Sequence, residues 1–152
     1  FNQRRTPPNL FGNQIGGLME SRVQKAVELR EKHGYNCAQA ILCAYADLFG
    51  LDEKTAYHIA VGFGTGMGGM GDTCGAVSAA FMLLGLKSGN GFGDKAGRAA
   101  LYKDIRELSD AFKAEAGSTI CRELKGQTGR PVYPCAKCIE TAAKLFESEL
   151  KK

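Results

Sequence analysis

Apolar residues recur at intervals of three and four along most of the chain, the period of helices packed by one face. Met19, Val23, Ala26 and Val27 share a side opposed by Arg22, Lys25 and Glu28. "HGYN" ends that pattern and begins another, in which Cys37, Ile41, Ala44, Tyr45 and Leu48 line up before Gly50. A third helix is predicted from Asp52 to about Gly62. A wholly apolar one follows from Thr73 to Leu86 after a glycine-rich loop, then an amphipathic one over Asp94 to Ala116. In that long helix Leu101, Ile105, Leu108 and Phe112 face inward. "GSTICRELKG" reads as a short helix and "QTGRPVYP" as irregular chain. A last helix from about Cys135 presents Ile139, Ala142, Ala143, Phe146 and Leu150. No segment alternates with period two. The expectation is an all-α, single-domain bundle of five to seven helices over residues 18–152. Residues 1–17, with Pro7 and Pro8, read as an N-terminal arm.

Composition adds a core and removes some partners. The 152 residues are 44% hydrophobic and 24% charged, enough for one packed domain. The net charge of +4 does not call for nucleic acid. Residues 35–93 carry only Asp47, Asp52, Glu53, Lys54, Asp72 and Lys87 as charges, which places the core there. The apolar run Cys74 to Leu86 is shorter than the roughly 20 residues of a membrane span, so no membrane insertion is expected. The opening residues lack the apolar core of a secretory signal. A cytoplasmic protein is the expectation, and there six cysteines suggest metal or redox chemistry rather than disulfide staples.

The loop "GFGTGMGGMGDTCG" contains G-x-G-x-x-G twice, at Gly64, Gly66, Gly69 and at Gly66, Gly68, Gly71. A dinucleotide site would need an acidic residue about 20 positions on and a βαβ unit. Residues 73–93 hold no Asp or Glu, and no P-loop lysine is present. No nucleotide is expected. Glycines that let two helices and a loop approach closely are the simpler reading.

Helix starts can be located without reference to cysteine. Asn36 with Gln39 forms a capping box, Asp72 or Thr73 suits an N-cap, Ser118 suits another, and Pro134 suits a first helical position. Cys37, Cys74, Cys121 and Cys135 then fall in first turns, where unpaired amides and the helix dipole favour a thiolate. Cys43 and Cys138 do not, and Cys43 lies about 120° round its helix from Cys37. Four thiolates brought together would repel by about 4 kcal/mol per pair at 4 Å with an effective dielectric of 20, so a cation, a cluster or disulfide formation would relieve them. Cys135-x-x-Cys138 also reads as a dithiol couple with Cys138 as the resolving thiol. Ile139 in place of His excludes c-type haem attachment. His33 and His58 stand alone.

The stretches "YNCAQAIL", "GFGTGMGGMGDTCGAVSAA", "GSTICREL" and "CAKCIETAAKLF" resemble the family of putative redox-active proteins named for a C_GCAxxG_C_C motif. The resemblance implies that Cys37, Cys74, Cys121 and Cys135 are the family's four cysteines. Ala79 stands where the family element has its last glycine, and Cys43 and Cys138 look like additions. It further implies kinship with the cluster-binding portion of split-Soret cytochromes, hence an iron–sulfur site without haem, and a redox partner or membrane transporter system nearby. On this reading the four cysteines are the metal ligands, and Gly71 and Gly75 let backbone amides approach the sulfurs of the cofactor. The expected function is redox or electron transfer by an iron–sulfur cluster. A metal-free thiol–disulfide protein comes second and a structural zinc site third, because zinc ligands usually pair locally. Whether the protein is an enzyme stays open, and a homo-oligomer is allowed.

Overall fold

The computed structural model describes residues 20–88 and 95–152. Residues 1–17, read as an arm, lie outside them, as do the residues 18–19 that were expected to open the first helix. Seven α-helices form among the described residues: α1 Val23–His33, α2 Cys37–Tyr45, α3 Glu53–Ala60, α4 Gly75–Ser88, α5 Lys95–Ala116, α6 Cys121–Leu124 and α7 Cys135–Leu150. Two 3₁₀ turns, Ala46–Phe49 and Val61–Phe63, extend α2 and α3. The only bridge of β type there is an isolated pair between Thr73 and Ile120. The all-α, single-domain expectation holds, and seven is the upper end of the expected number.

The centre is α2. All nine of its residues are buried, from Cys37 to Tyr45. A helix apolar on every side must be surrounded, and α1, α3, α4 and α7 pack around it. Alongside it lies α4, with Val77, Ala79, Ala80, Leu83 and Leu84 buried. Small residues set the spacing between these two. A Cβ on Gly75 would meet Phe63 O at 2.8 Å, Ala38 N at 3.1 Å and Ala38 Cβ at 3.2 Å. Glycine therefore lets the start of α4 lie against the start of α2, and that contact brings Cys37 and Cys74 together.

Of the face expected on α5, Leu108 and Phe112 are buried while Leu101 and Ile105 are partly covered. Packed against it, α7 buries Ile139, Ala142, Ala143, Phe146 and Leu150. Phe146 meets Tyr45 edge to face, with ring centroids 5.0 Å apart at 72°.

Helix ends follow the sequence at α2 and α3 and depart from it at three others. Asn36 accepts from Gln39 N at 2.9 Å and Gln39 Oε1 accepts from Asn36 N at 3.0 Å, the expected capping box. Asp52 caps α3 through Thr55 N. By contrast α4 starts at Gly75, so neither Asp72 nor Thr73 is its cap: Asp72 O and Cys74 N are engaged by the neighbouring segment, and Cys74 O accepts from Ser78 N. Ser118 caps no helix. Its hydroxyl accepts from Ile120 N at 2.9 Å, within the turn before α6. Pro134 is the N-cap of α7 rather than its first residue, because its ψ of 152° is still extended.

Candidate functional site

The loop between α3 and α4 carries the glycines into an unusual path. Thr65, Gly66, Met67, Gly68 and Gly69 all have positive φ, 52°, 66°, 67°, 65° and 85°. Five successive residues of positive φ make a turn of the wrong hand for L-amino acids, at roughly 1–2 kcal/mol per non-glycine residue. Thr65, being β-branched, is the more strained of the two non-glycines. A Cβ at Gly66 would lie 2.6 Å from both Asp72 N and Cys121 Cβ, so only glycine lets the turn pass beneath that cysteine.

The amides of this loop are used internally. Gly68 and Gly69 donate to Gly64 O, Met70 to Met67 O, Gly71 to Thr65 O and Asp72 to Gly66 O. Its carbonyls reach outward instead: Gly71 O accepts from Arg122 N at 3.1 Å and Asp72 O from Cys121 N at 2.6 Å. Cys74 N in return donates to Thr119 O at 2.7 Å. These bonds clasp the start of α4 to the start of α6 and hold Cys74 and Cys121 on one side of the bundle.

The result is a cavity of about 40 Å³ bordered by Cys37, Cys74, Cys121, Cys135 and Cys138, with Arg30 and Lys125 as its cations. Asn36, Thr65, Gly66, Gly75, Leu124 and Tyr133 complete the wall. All five cysteines are free thiols, four buried and Cys135 half-buried. Cys43 stands apart, its sulfur facing Glu53 O at 3.8 Å, and burial pushes its pKa up to about 11.

The thiols are not equivalent. The neighbouring Cys37 thiol lowers the Cys135 pKa to about 6 against the opposing effect of burial, with the charges of Arg30 and then Lys125 adding to the lowering. The Cys135 sulfur, with burial, drives Cys37 far above the usual thiol range. A second pair repeats the arrangement. Cys138, its S–H donated to Tyr133 O at 3.6 Å, stands beside the Cys74 sulfur and holds the Cys74 pKa below its ordinary value, helped by the backbone N–H groups of Val77 and Ala76. Cys74 is thus itself the sulfur cap of α4, its thiolate meeting first-turn amides. Cys138 is in turn raised by the neighbouring Cys74 sulfur and by burial. Burial raises Cys121 against the lowering charge of Lys125.

Each residue singled out in the sequence has a place here. Cys37, Cys74, Cys121 and Cys135 all border the cavity, at or just before helix starts, and so does Gly75. Gly71 does not, and its amide serves Thr65 rather than a sulfur. Cys138 is no bystander. It lies three residues from Cys135 on α7, a spacing that puts both on one helical face and was the available signal. Arg30, Lys125, Thr65 and Gly66 gave no such signal, because their approach to the sulfurs depends on how distant segments pack.

Fold and cavity define a class: an all-α protein built around clustered, unpaired cysteines of unequal acidity. Residues 35–149 match the model of the family described as "Putative redox-active protein (C_GCAxxG_C_C)", and the chain belongs to that family. No curated protein and no solved structure matches the chain. Among the described residues no helix is long and apolar enough to cross a membrane.

Proposed function

We propose that the protein exchanges electrons with disulfide-containing molecules through the Cys37–Cys135 couple. The observation that carries this reading is the two free thiols on one cavity, the half-buried Cys135 beside Arg30 and the buried Cys37. The Cys135 thiolate attacks one sulfur of the substrate disulfide, a mixed disulfide forms, and the first substrate thiolate leaves and takes a proton. Cys37, its proton passing to the second leaving thiolate, attacks the Cys135 sulfur and releases it. The substrate is reduced by two electrons and a Cys37–Cys135 disulfide remains. Arg30 and Lys125 stabilise negative sulfur at each stage.

Two measurements test the reading. Iodoacetamide should label Cys135 first, and oxidised glutathione should leave a Cys37–Cys135 bond on peptide mapping. Sulfurs inert to both reagents, in protein stripped of metal, would sink it.

A second reading keeps Cys37, Cys74, Cys121 and Cys135 as ligands of an iron–sulfur cluster. What favours it is the donor set: sulfur alone around one cavity, with two cations to offset the charge. When bound, such a cluster would supply one-electron transfer. Among the described residues, however, no three of these groups stand as a metal-ligating set. The thiols are arranged in pairs, which moves the dithiol reading ahead of the cluster that the sequence favoured. A structural zinc on the same four sulfurs stays third. Anaerobic purification with iron, sulfide and zinc analysis decides among the three. Stoichiometric iron and sulfide with a visible chromophore would establish the cluster, and stoichiometric zinc without redox response would establish the structural site.

A further inference from the structure

Cys138 is the sulfur that neither the family motif nor the couple above uses. It is buried, borders the same cavity as Cys74, and donates its S–H to Tyr133 O at 3.6 Å. It also lies one helical turn from Cys135, with Cys138 N bonded to Pro134 O at 2.9 Å in the first turn of α7. The four sulfurs therefore gather round one small cavity, Cys37 and Cys74 from the touching starts of α2 and α4, Cys135 and Cys138 from one face of the first turn of α7. Cys135 alone among them is half-buried, the others being fully covered.

We propose that Cys74 and Cys138 are a second, inner redox couple that recharges the outer one through Cys135, so that the protein stores two disulfides' worth of electrons behind one entry thiol. The inference rests on the dithiol reading and extends it. After the outer couple has reduced one substrate disulfide, Cys138 attacks the Cys135 sulfur. The Cys37–Cys135 bond breaks, Cys37 leaves as thiolate and takes the proton that Cys138 gives up. Cys74 then attacks Cys138, the Cys135–Cys138 bond breaks, and Cys135 is released as a thiol or thiolate. The disulfide has moved inward to Cys74–Cys138 and the outer dithiol is restored. Each exchange conserves electrons, so no further oxidant is involved. A second substrate disulfide is the oxidant for the second turnover. Cys121 takes no part in the relay: it borders the cavity from the start of α6, its backbone held by the bond from Cys121 N to Asp72 O at 2.6 Å.

The test uses fully reduced, metal-free full-length protein titrated with oxidised glutathione, with acid quenching, alkylation and peptide mapping. The wild type should consume two equivalents and end with Cys37–Cys135 and Cys74–Cys138 bonds, the outer one appearing first. Cys138→Ser should consume one equivalent, keep the outer bond and leave Cys74 open to alkylation. Cys138→Ala, whose apolar side chain suits the buried position, should do the same and guards against misfolding of the serine variant. Cys135→Ser should slow oxidation of the inner couple at least tenfold. The proposal fails if the wild type stops at one disulfide with Cys74 and Cys138 still alkylated, an outcome that leaves the outer couple standing. It also fails if the second bond joins Cys74 to Cys121, or if Cys135→Ser leaves the inner couple oxidising at the wild-type rate. Absence of any exchange overturns both the relay and the reading beneath it.

Discussion

Cys135 acquires its acidity from three neighbours supplied by three parts of the chain: Cys37 at the start of α2, Arg30 at the end of α1 and Lys125 just after α6. Its alkylation rate in metal-free protein should therefore rise with pH through a midpoint of about 6, against about 8.5 for a free thiol. Cys37→Ala should move that midpoint upward, since it removes the largest lowering cause, and Arg30→Ala should move it upward by less. A stopped-flow pH–rate profile for each variant checks the order. The same shift has a sign in stability. A thiol held below its unfolded value stabilises the fold when ionised. That contribution is whole above the unfolded value of about 8.5 and is lost as pH falls through about 6. Cys74 is lowered too and acts in the same direction. Reduced protein should grow more stable from pH 6 to pH 8.5, and Cys135→Ser should flatten that rise in urea melts taken at both ends. Thr65 offers a different local test. It is exposed and left-handed at φ 52°. Thr65→Gly should relieve strain and stabilise by about 1 kcal/mol, seen as a higher melting temperature.

Helix starts, more than helix lengths, make the site. The contact of α4 with α2 tolerates no side chain at Gly75, because the nearest atom to a new Cβ is the backbone oxygen of Phe63 at 2.8 Å. Gly75→Ala should destabilise by about 1–3 kcal/mol and slow formation of the disulfides by separating the starts of α2 and α4. Gly85, on the same helix, has open space around its Cβ position. Gly85→Ala should instead stabilise by about 0.5–1 kcal/mol, the ordinary helix preference for alanine. Opposite signs from two substitutions of the same kind in α4, read by chemical denaturation, would isolate the close approach as the cause. The α2 start, with both halves of its capping box in place, could be read from "NCAQ" alone. The α4 start could not, because its cap is a cysteine sulfur.

Farther from the thiols, the bundle is closed by a buried polar contact. The Tyr45 hydroxyl donates to the Glu147 carboxylate, which also accepts from Arg22 N at 2.8 Å. Arg22 in turn pairs with Asp47 and donates to Ala44 O at 3.0 Å. This links α1, α2 and α7, and burial followed by the Glu147 bond lifts the Tyr45 pKa well above the usual phenol range. Tyr45→Phe should cost about 1.5–3 kcal/mol, the range for a hydrogen bond to a charged group. Yet it should leave the Cys135 alkylation midpoint unchanged, since none of these groups borders the cavity. A thermal melt and a pH–rate profile on the same preparation separate the two effects.

Hydrophobic periodicity, glycine stops and the Asn36 box were enough to place the helices within a few residues, because those signals act through the chain's nearest neighbours. The same local reasoning picked Cys37, Cys74, Cys121 and Cys135, whose backbones sit at or beside helix starts. It missed Ser118 and Pro134 by one turn or one position, since a cap depends on which amide is left unpaired after the loops have docked. It kept Cys138 only as a resolving thiol for Cys135, from their i, i+3 spacing, and apart from the four motif cysteines. Which sulfur bonds which was never a local matter. The pairs Cys37–Cys135 and Cys74–Cys138 join positions far apart in the chain, and Arg30 and Lys125 reach the thiols from segments with no motif of their own. Those distances are set by small residues packing α2 against α4 and by loop carbonyls gripping α6. Acidity in a buried cluster follows from separations and hydrogen bonds that exist only once the helices have packed.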